Sequence, residues 1–394
     1  MAVNKHLEHV DELIFTRGIA GAKLAIQTLK AVGSTLSPSG GPPVTITTKW
    51  DGAPAVICGI DPADGKFFVG TKGVFAQTPK LAKTQSDVQR LYDGQLAQKL
   101  TACLRYLPPV VTNGVLQGDL LFTNDKSTEV IDGRNYITFR PNTLTYAVQP
   151  GSKLASKIQA AELGIVFHTK YTGPSIQQMS ASFGVTDSDF NNTPSVWAAA
   201  ASFQNVGGVA TMTPDEYRQF VSAVNQAEGS IQAAGMFLEK IQSGKKALQF
   251  DTVFLMFFNN YYKEGRAIPS VNQTYNDFIH FLAKKYNEAI LKNKTLNAQA
   301  NKAFQFVDAL DSIQANQRGM QMVIATVLNL TKAKMILVNK MNKVAALDTF
   351  VQTDDGYKVT AQEGFVAINE GQAVKLIDRL EFSKLNFTIA KNWG

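Results

Sequence analysis

A lysine between two predicted strands is the residue of this chain best placed to do chemistry. It lies in Val44-Thr-Ile-Thr-Thr-Lys-Trp-Asp-Gly-Ala-Pro-Ala-Val56. The β-branched residues Val44 and Ile46 predict one strand, and the apolar run from Ala55 to Ile60 predicts its return. Gly52 allows the turn between them to be tight, so we expect Lys49 to hold its amine rigidly beside a ligand.

An acid in the middle of another predicted strand is a second candidate. Asp119 follows Gly118 within the apolar segment Val115–Phe122. A buried carboxylate is costly unless it has a partner or faces a cleft. Asp119 is therefore a candidate ligand-binding residue, and the alternative is an ordinary acid at a strand edge.

The histidines and cysteines do not indicate a zinc site. Cys58 and Cys103 are the only cysteines, and the four histidines are scattered. Two cysteines without metal-like spacing predict reduced core thiols in an intracellular protein.

Six segments resemble the motifs of the covalent nucleotidyltransferases, which are the DNA ligases, RNA ligases and mRNA capping enzymes. They occur along the chain in the same order as in that superfamily. Lys49-Trp-Asp-Gly52 resembles the nucleophile motif Lys-x-Asp-Gly, and Glu363-Gly-Phe-Val366 resembles Glu-Gly-x-Val. The other four are Thr-Lys72-Gly, which resembles a motif of phage-type RNA ligases, Gly118-Asp119, Gly164–Thr169 and the strand around Lys375.

The resemblance implies the chemistry of these residues. Lys49 would form a lysyl-AMP intermediate from ATP, with GTP as the alternative nucleotide. Mg²⁺ or Mn²⁺ would be held by Glu363 and Asp119, and Lys375 would act on the α-phosphate. The remaining nucleotide-binding residues would be Thr47 at the base edge, Asp51 and Gly52 in the turn, Lys72 near the phosphates, Phe167 stacked on the base and Val366 packed against it. Lys72 could equally be a hairpin lysine and Phe167 a core residue.

Three positions depart from the superfamily pattern. Pro54 stands where many DNA ligases have arginine, which favours the phage-type RNA ligases. Asp119 is one methylene shorter than the usual glutamate. Ala373 and Ile377 stand where a second lysine accompanies Lys375 in relatives. Either one lysine suffices, or Lys72 substitutes for the second, or the protein is a weak or lapsed catalyst.

The elements that would position these residues follow from periodicity. The sequence predicts short helices at His6–Phe15 and Ala20–Ala31, then a strand-rich block to about residue 180. Thr213-Pro-Asp-Glu is a strong helix start, and five helices are predicted from 214–242 to 315–345. Short strands return after residue 356.

This pattern predicts an α+β fold in which both ends of the chain build a ligase-type nucleotidyltransferase domain. The expected divisions are N-terminal helices at 1–36, the first part of that domain at 37–185, an inserted all-α domain at 186–345 and the last strands at 346–394. The Asn, Ser, Ala and Gly-rich stretch from 186 to 212 is expected to be a linker.

The excess positive charge of the chain is concentrated in the predicted helices of residues 214–345, the helical block. The whole chain has a net charge of +7, and the segment from Lys284 to Lys343 contains ten basic and three acidic residues. That surface predicts binding of RNA or DNA ends, because neutralised phosphates release counterions. A solvated lysine-rich surface is the alternative.

We expect a cytoplasmic protein with no membrane segment, because the most apolar run, Phe250 to Phe258, is too short to span a bilayer. The whole chain also resembles phage proteins, which implies a host bacterial cytoplasm.

The sequence therefore predicts an ATP-dependent RNA or DNA ligase. The alternatives are a ligase-fold module that binds nucleic acid or protein without catalysis, and a transferase acting on a small molecule or protein. It does not settle the oligomeric state.

Overall fold

Helices form the middle of the chain and strands lie on both sides of them in this computed structural model, which describes residues 7–243, 250–344, 347–353 and 356–382. The helices are α1 (Leu13–Thr35), α2 (Gln85–Leu91), α3 (Gly94–Tyr106), α4 (Lys153–Ala160), α5 (Pro214–Ser243), α6 (Phe250–Lys263), α7 (Val271–Lys292), α8 (Leu296–Ala315) and α9 (Gln317–Met341). The mixed α+β class is as predicted.

Fourteen strands are found among the described residues, and they form three sheets. They are β1 (Thr45–Lys49), β2 (Ala55–Ile60), β3 (Phe67–Gly70), β4 (Val115–Phe122), β5 (Ser127–Ile131), β6 (Arg134–Phe139), β7 (Leu144–Val148), β8 (Leu163–Thr172), β9 (Ser180–Phe183), β10 (Val196–Ala200), β11 (Asp348–Thr353), β12 (Gly356–Val359), β13 (Gly364–Asn369) and β14 (Gln372–Leu376).

Sheet A has the order β1-β13-β14 and joins the two ends of the chain. Both pairs are antiparallel, with Thr47 opposite Val366 and Val366 opposite Lys375. The segment 8–10 continues the sheet, because the Lys375 N–H donates to the Glu8 carbonyl (2.9 Å) and the Val10 N–H donates to the Lys375 carbonyl (3.0 Å). Residues more than 300 positions apart in the sequence thus lie side by side.

Sheet B has the order β10-β8-β4-β2-β3, with β9 also paired to β8. The predicted linker at 186–212 is wrong at 196–203. There β10 pairs in parallel with β8, and the chain continues along β1, where the Thr48 N–H donates to the Ala201 carbonyl (2.7 Å). Composition reports local propensity, whereas this strand is fixed by partners distant in sequence. Segment 201–203 links sheet B to sheet A.

Sheet C has the order β12-β11-β7-β6-β5. Strand β11 pairs with β7, with Asp348 opposite Ala147, so the last strands of the chain are divided between sheets A and C. Strands β5 and β11 are not predicted, because both are short and carry polar residues.

The N-terminal helices differ from the prediction. Residue 6 lies outside the described residues, and residues 8–10 are extended against Lys375. A single helix, α1, then runs from Leu13 and bends at Gly18, where φ is 57° and ψ is −135°. Glycine adopts this backbone conformation without a side-chain clash, so the predicted break survives as a kink.

The five long helices lie close to their predicted bounds, and residues 247–249 and 345 of those predictions lie outside the described residues. At the start of α5, the Thr213 N–H donates to Glu216 Oε2 (2.7 Å) and the Glu216 N–H donates to Thr213 Oγ1 (3.3 Å). This reciprocal capping satisfies donors at the helix start that have no partner within the helix.

The helical block shares its core with α1 and sheet A. Phe15 of α1 stacks on Phe254 (5.4 Å) and Phe258 (5.1 Å) of α6. Phe365 and Leu376 of sheet A belong to the same buried cluster. The block is therefore an insertion in sequence, but it packs as one core with α1 and sheet A.

Helix α9 is long and apolar enough to cross a membrane by length and composition. Half of its most apolar window is buried inside the protein, and its side chains from Met320 to Met341 line the core of the helical block. Burial among neighbouring helices accounts for this hydropathy.

Candidate functional site

One face of sheet A gathers four residues that the sequence singles out. Ile46, Phe365 and Leu376 point toward the helical core. Because side chains alternate along a strand, Thr47 and Lys49 of β1 point to the opposite face. Val366 and Lys375 share that face, since Thr47, Val366 and Lys375 are successive cross-strand partners. Two strands distant in sequence thus bring both lysines to one surface.

Lys49 forms an ion pair with Glu363. Glu363 is buried and lies next to Gly364, the cross-strand partner of Lys49. Burial disfavours the charged amine, but Glu363 and Asp119 outweigh it and raise the pKa of Lys49 above its ordinary value. Burial also raises the pKa of Glu363 to about 7, although Lys49 opposes this rise. The amine is therefore protonated at neutral pH in this resting arrangement.

Asp51 anchors the turn to sheet C. Its carboxylate accepts hydrogen bonds from the backbone N–H groups of Thr143 (2.8 Å) and Leu144 (2.7 Å) and from Asn142 Nδ2 (2.7 Å). Its own N–H donates to the hydroxyl of Tyr146 (2.7 Å). With three donors already on a buried carboxylate, Asp51 holds Lys49 in place through the backbone rather than facing a ligand.

Gly52 brings the same turn against Asp119. A side-chain carbon at position 52 would lie 2.6 Å from Cβ of Asp119 and 2.9 Å from the carbonyl oxygen of Leu120. No residue larger than glycine fits at this distance. The turn after Lys49 therefore packs directly on the strand that carries the second predicted carboxylate.

His168 lies beside Asp119, and the sequence reasoning gave it no role. Its Nε2 is 3.8 Å from Asp119 Oδ1, and its Nδ1 is 2.8 Å from Thr169 Oγ1. Strand alternation already indicated that His168 faces away from Phe167. Since Phe167 points into the core, the alternation of side chains along the strand could have predicted that His168 lies on the face of Asp119.

Lys375 is half-buried near Lys49. Burial, together with the charge of Lys49, lowers the pKa of Lys375 from its ordinary value. The N–H and the carbonyl of Lys375 are both hydrogen-bonded by segment 8–10, and on its other side Lys375 lies opposite Val366 of β13. This double pairing fixes the base of its side chain.

One predicted site residue, Phe167, does not join this group. Phe167 is fully buried on the other face of sheet B, where its ring lies 5.3 Å from that of Phe190. Phe167 is therefore a core residue, and its position does not support the predicted stacking on a base. Lys72 is exposed, in a short 3-10 turn just after β3. It lies at the end of sheet B where β2 begins, since Gly70 pairs with Ile57.

The described residues contain no group of three or more His, Cys, Asp or Glu side chains arranged to hold a metal. Glu363 and Asp119 both act on the charge of Lys49, so two carboxylates share its surroundings. Mg²⁺ is commonly bound by one or two carboxylates together with substrate phosphates, and this donor set fits that mode.

Two of the ten basic residues in the segment from Lys284 to Lys343 are buried rather than on the surface. Lys334 is buried and pairs with Asp11 (2.8 Å), and Lys340 is buried and pairs with Glu216 (2.7 Å). The exposed members are Lys284, Lys292, Lys294, Arg318, Lys332 and Lys343. Lys343 lies at the end of α9, next to Asn342, which lines a cavity of about 520 Å³ together with Gln362.

Residues 4–391 match a family described as a family of unknown function, DUF6267, and the chain belongs to that family. No curated protein matches the chain. No solved structure matches it either.

Proposed function

We propose that this protein is a metal-dependent nucleotidyltransferase that forms a lysyl-AMP intermediate on Lys49 and joins RNA or DNA ends. The observation that carries the proposal is that Lys49 and Lys375 share one face of sheet A and that Lys49 forms an ion pair with Glu363. Asp119 adds a second carboxylate close enough to act on Lys49. A nucleophile, an acid and a second cation are the groups that such a transfer needs.

In the first step, the neutral amine of Lys49 attacks the α-phosphorus of ATP. A nitrogen–phosphorus bond forms, the bond from the α-phosphorus to the bridging oxygen breaks, and pyrophosphate leaves. The amine must first lose its proton, and Glu363 is the adjacent group able to accept it, because its own pKa is about 7. Lys375 faces the same space and would offset charge on the phosphate.

The residues fit a divalent cation beside this lysine. Glu363 and Asp119 would hold Mg²⁺ or Mn²⁺ together with the phosphates of the nucleotide. When bound, the cation supplies positive charge that offsets the phosphate oxygens.

In the later steps, a 5′-phosphate oxygen attacks the phosphorus of the lysyl-AMP. The nitrogen–phosphorus bond breaks and Lys49 takes a proton back. A 3′-hydroxyl then attacks the 5′-phosphorus, a phosphodiester bond forms and AMP leaves. Exposed lysines of the helical block are candidates to bind the strands, and Lys343 is the one beside the cavity that Gln362 lines.

A second candidate is a module that binds nucleic acid or protein without catalysis. The observation that favours it is the lone cation of β14, since Ala373 and Ile377 replace the usual second lysine. The ion pair with Glu363 also keeps the Lys49 amine protonated.

The test is the intact mass of the protein after incubation with ATP or GTP and Mg²⁺ or Mn²⁺. We expect a gain of one nucleoside monophosphate, mapped to Lys49 by peptide analysis. Lys49→Arg should show no gain, whereas Lys66→Arg, at an exposed lysine of the β2–β3 hairpin, should behave as the wild type.

Absence of the adduct with both nucleotides and both metals would overturn the transferase. Salt-sensitive binding of RNA or DNA without an adduct would support the module instead. If the adduct forms, labelled strands with 5′-phosphate and 3′-hydroxyl ends then test the acceptor.

A further inference from the structure

The outer face of helix α8 is apolar although it is exposed. Leu296 is 83% exposed, Phe304 70% and Val307 50%. The inner face packs through Ala309 and Ile313, which are buried. Large apolar side chains on one exposed helix face mark a surface that another molecule covers.

This face has opposite charge at its two ends. Lys294 precedes the helix next to Leu296, and Asp308 and Asp311 follow Phe304 and Val307. All three charged residues are exposed. At 1.5 Å of rise per residue, the 12 positions from Leu296, at the start of the helix, to Asp308 separate the two ends by about 18 Å.

The apolar residues are also arranged symmetrically. Leu296 and Val307, and likewise Ala300 and Phe304, lie at nearly equal distances on either side of residue 302. An antiparallel copy of the helix would therefore place Leu296 against Val307, and the small Ala300 against the large Phe304. The same arrangement places Lys294 against Asp308.

We propose that this face binds a second copy of the chain, with the two α8 helices antiparallel across a two-fold axis near residue 302. A two-fold interface must be self-complementary in shape and in charge, and this face satisfies both conditions. The two charged pairs at its rim would fix the direction and register of the helices.

Other occupants fit less well. Bases stack on aromatic rings, but two of the three exposed apolar side chains, Leu296 and Val307, are aliphatic. Asp308 and Asp311 would repel phosphates of a nucleic acid or of a lipid surface. In the antiparallel pair of helices, by contrast, no acidic residue of this face lies against another acidic residue, and Asp308 lies against Lys294 of the second copy.

The test is the mass of the full chain in solution by sedimentation velocity and light scattering. The chain mass is 42.9 kDa, so we expect a species of twice that mass whose fraction rises with concentration. Phe304→Glu should return the protein to a monomer that still unfolds in one cooperative transition, because the side chain is exposed. Val359→Glu, at a residue 76% exposed on sheet C, is the matched control and should leave the dimer intact.

Charge reversal tests the register. Lys294→Asp alone and Asp308→Lys alone should each weaken the dimer about tenfold, and the two together should restore it. A wild-type protein that stays monomeric up to about 100 μM would overturn the proposal, since a dimer of micromolar affinity is nearly complete there. So would a dimer that survives Phe304→Glu.

Discussion

At the scale of single residues, the candidate site is held in a paired resting state. Lys49 is protonated because Glu363 and Asp119 outweigh the cost of its burial. The amine becomes a nucleophile only after it loses its proton, and Glu363 is the adjacent group able to accept that proton.

The pH dependence of the proposed adduct follows from that pairing. A raised pKa leaves little neutral amine near pH 7, so the initial rate of adduct formation should rise about tenfold per pH unit while the amine remains mostly protonated. Glu363→Gln removes the proton acceptor and a proposed metal ligand, so it should lower the rate at every pH. Because it also removes the charge that raises the pKa of Lys49, it should move the profile of the remaining activity to lower pH. The measurement is the rate of nucleotide incorporation at several pH values, and a flat wild-type profile would contradict this assignment.

Asp51 should matter for stability more than for contact with a ligand. Asp51→Ala leaves the buried N–H groups of Thr143 and Leu144 without their acceptor, at a cost of about 1–3 kcal/mol each. Urea unfolding measures the loss. Asp93→Ala is the control, because Asp93 is exposed and makes no capping bond, and it should change the stability by less than about 0.5 kcal/mol. Equal effects of the two changes would show that the Asp51 bonds are not formed.

At the scale of elements, buried charges tie the N-terminal segment to the helical block. Asp11 precedes α1 and pairs with Lys334 of α9, both 1% exposed, and Thr331 donates a second hydrogen bond (3.2 Å) to the same oxygen. Burial would raise the pKa of Asp11, but Lys334 and Arg379 lower it far below 3.8. The segment 8–10 that this pair anchors is the one that flanks Lys375 in sheet A.

Removing one partner of this pair should destabilise the protein strongly. Lys334→Met leaves a buried carboxylate uncompensated, at a cost of about 3–5 kcal/mol, whereas Asp11→Leu with Lys334→Met should cost less than the sum of the two single changes. A double-mutant cycle in urea measures the coupling. The exposed pair of Lys30 and Glu228 is the control, and Lys30→Ala should cost less than about 1 kcal/mol.

The same pair sets a limit on stability in acid. Because the folded-state pKa of Asp11 is depressed, its contribution is present above pH 3.8 and is lost as the pH falls below that value. Wild-type protein should therefore lose more stability in acid than the Asp11→Leu, Lys334→Met variant. Equal losses would contradict this.

At the scale of the whole molecule, the helical block shares one hydrophobic core with α1 and with the strands of sheet A. Its core includes α1 and the inner face of sheet A, from opposite ends of the chain. A change in how the block packs on sheet A would therefore displace the strands that carry Lys49 and Lys375. The shared core thus physically connects the block, and any molecule bound to it, with the candidate site.

The shared core predicts that the block does not fold alone. A fragment of residues 213–344 would expose the side chains that pack on Phe15, Leu29 and Phe365. We expect helical circular dichroism without a cooperative thermal transition, and binding of a hydrophobic dye. A sharp transition like that of the full chain would show instead that the block is an independent domain.

Much of the secondary structure was predictable from the sequence. The long helices follow from apolar periodicity and from the cap at Thr213, and β2 and β4 from apolar runs bounded by turn residues. The missed strands were β5, β9, β10 and β11. They are short and polar or alanine-rich, and β10 and β11 also pair with strands that are not their neighbours in sequence.

The sequence by itself determined which residues have the chemistry for a site: Lys49 beside a tight turn, Glu363 and Asp119 beside glycines, and Lys375 on a short strand. Only the tertiary structure decided which of them meet. It brought Lys49 to Glu363, assigned Asp51 to an anchoring role, placed His168 rather than Phe167 on the face of Asp119 and buried Lys334 and Lys340. The physical reason is that residue type and local period fix propensity, whereas cross-strand register and burial depend on partners hundreds of residues away.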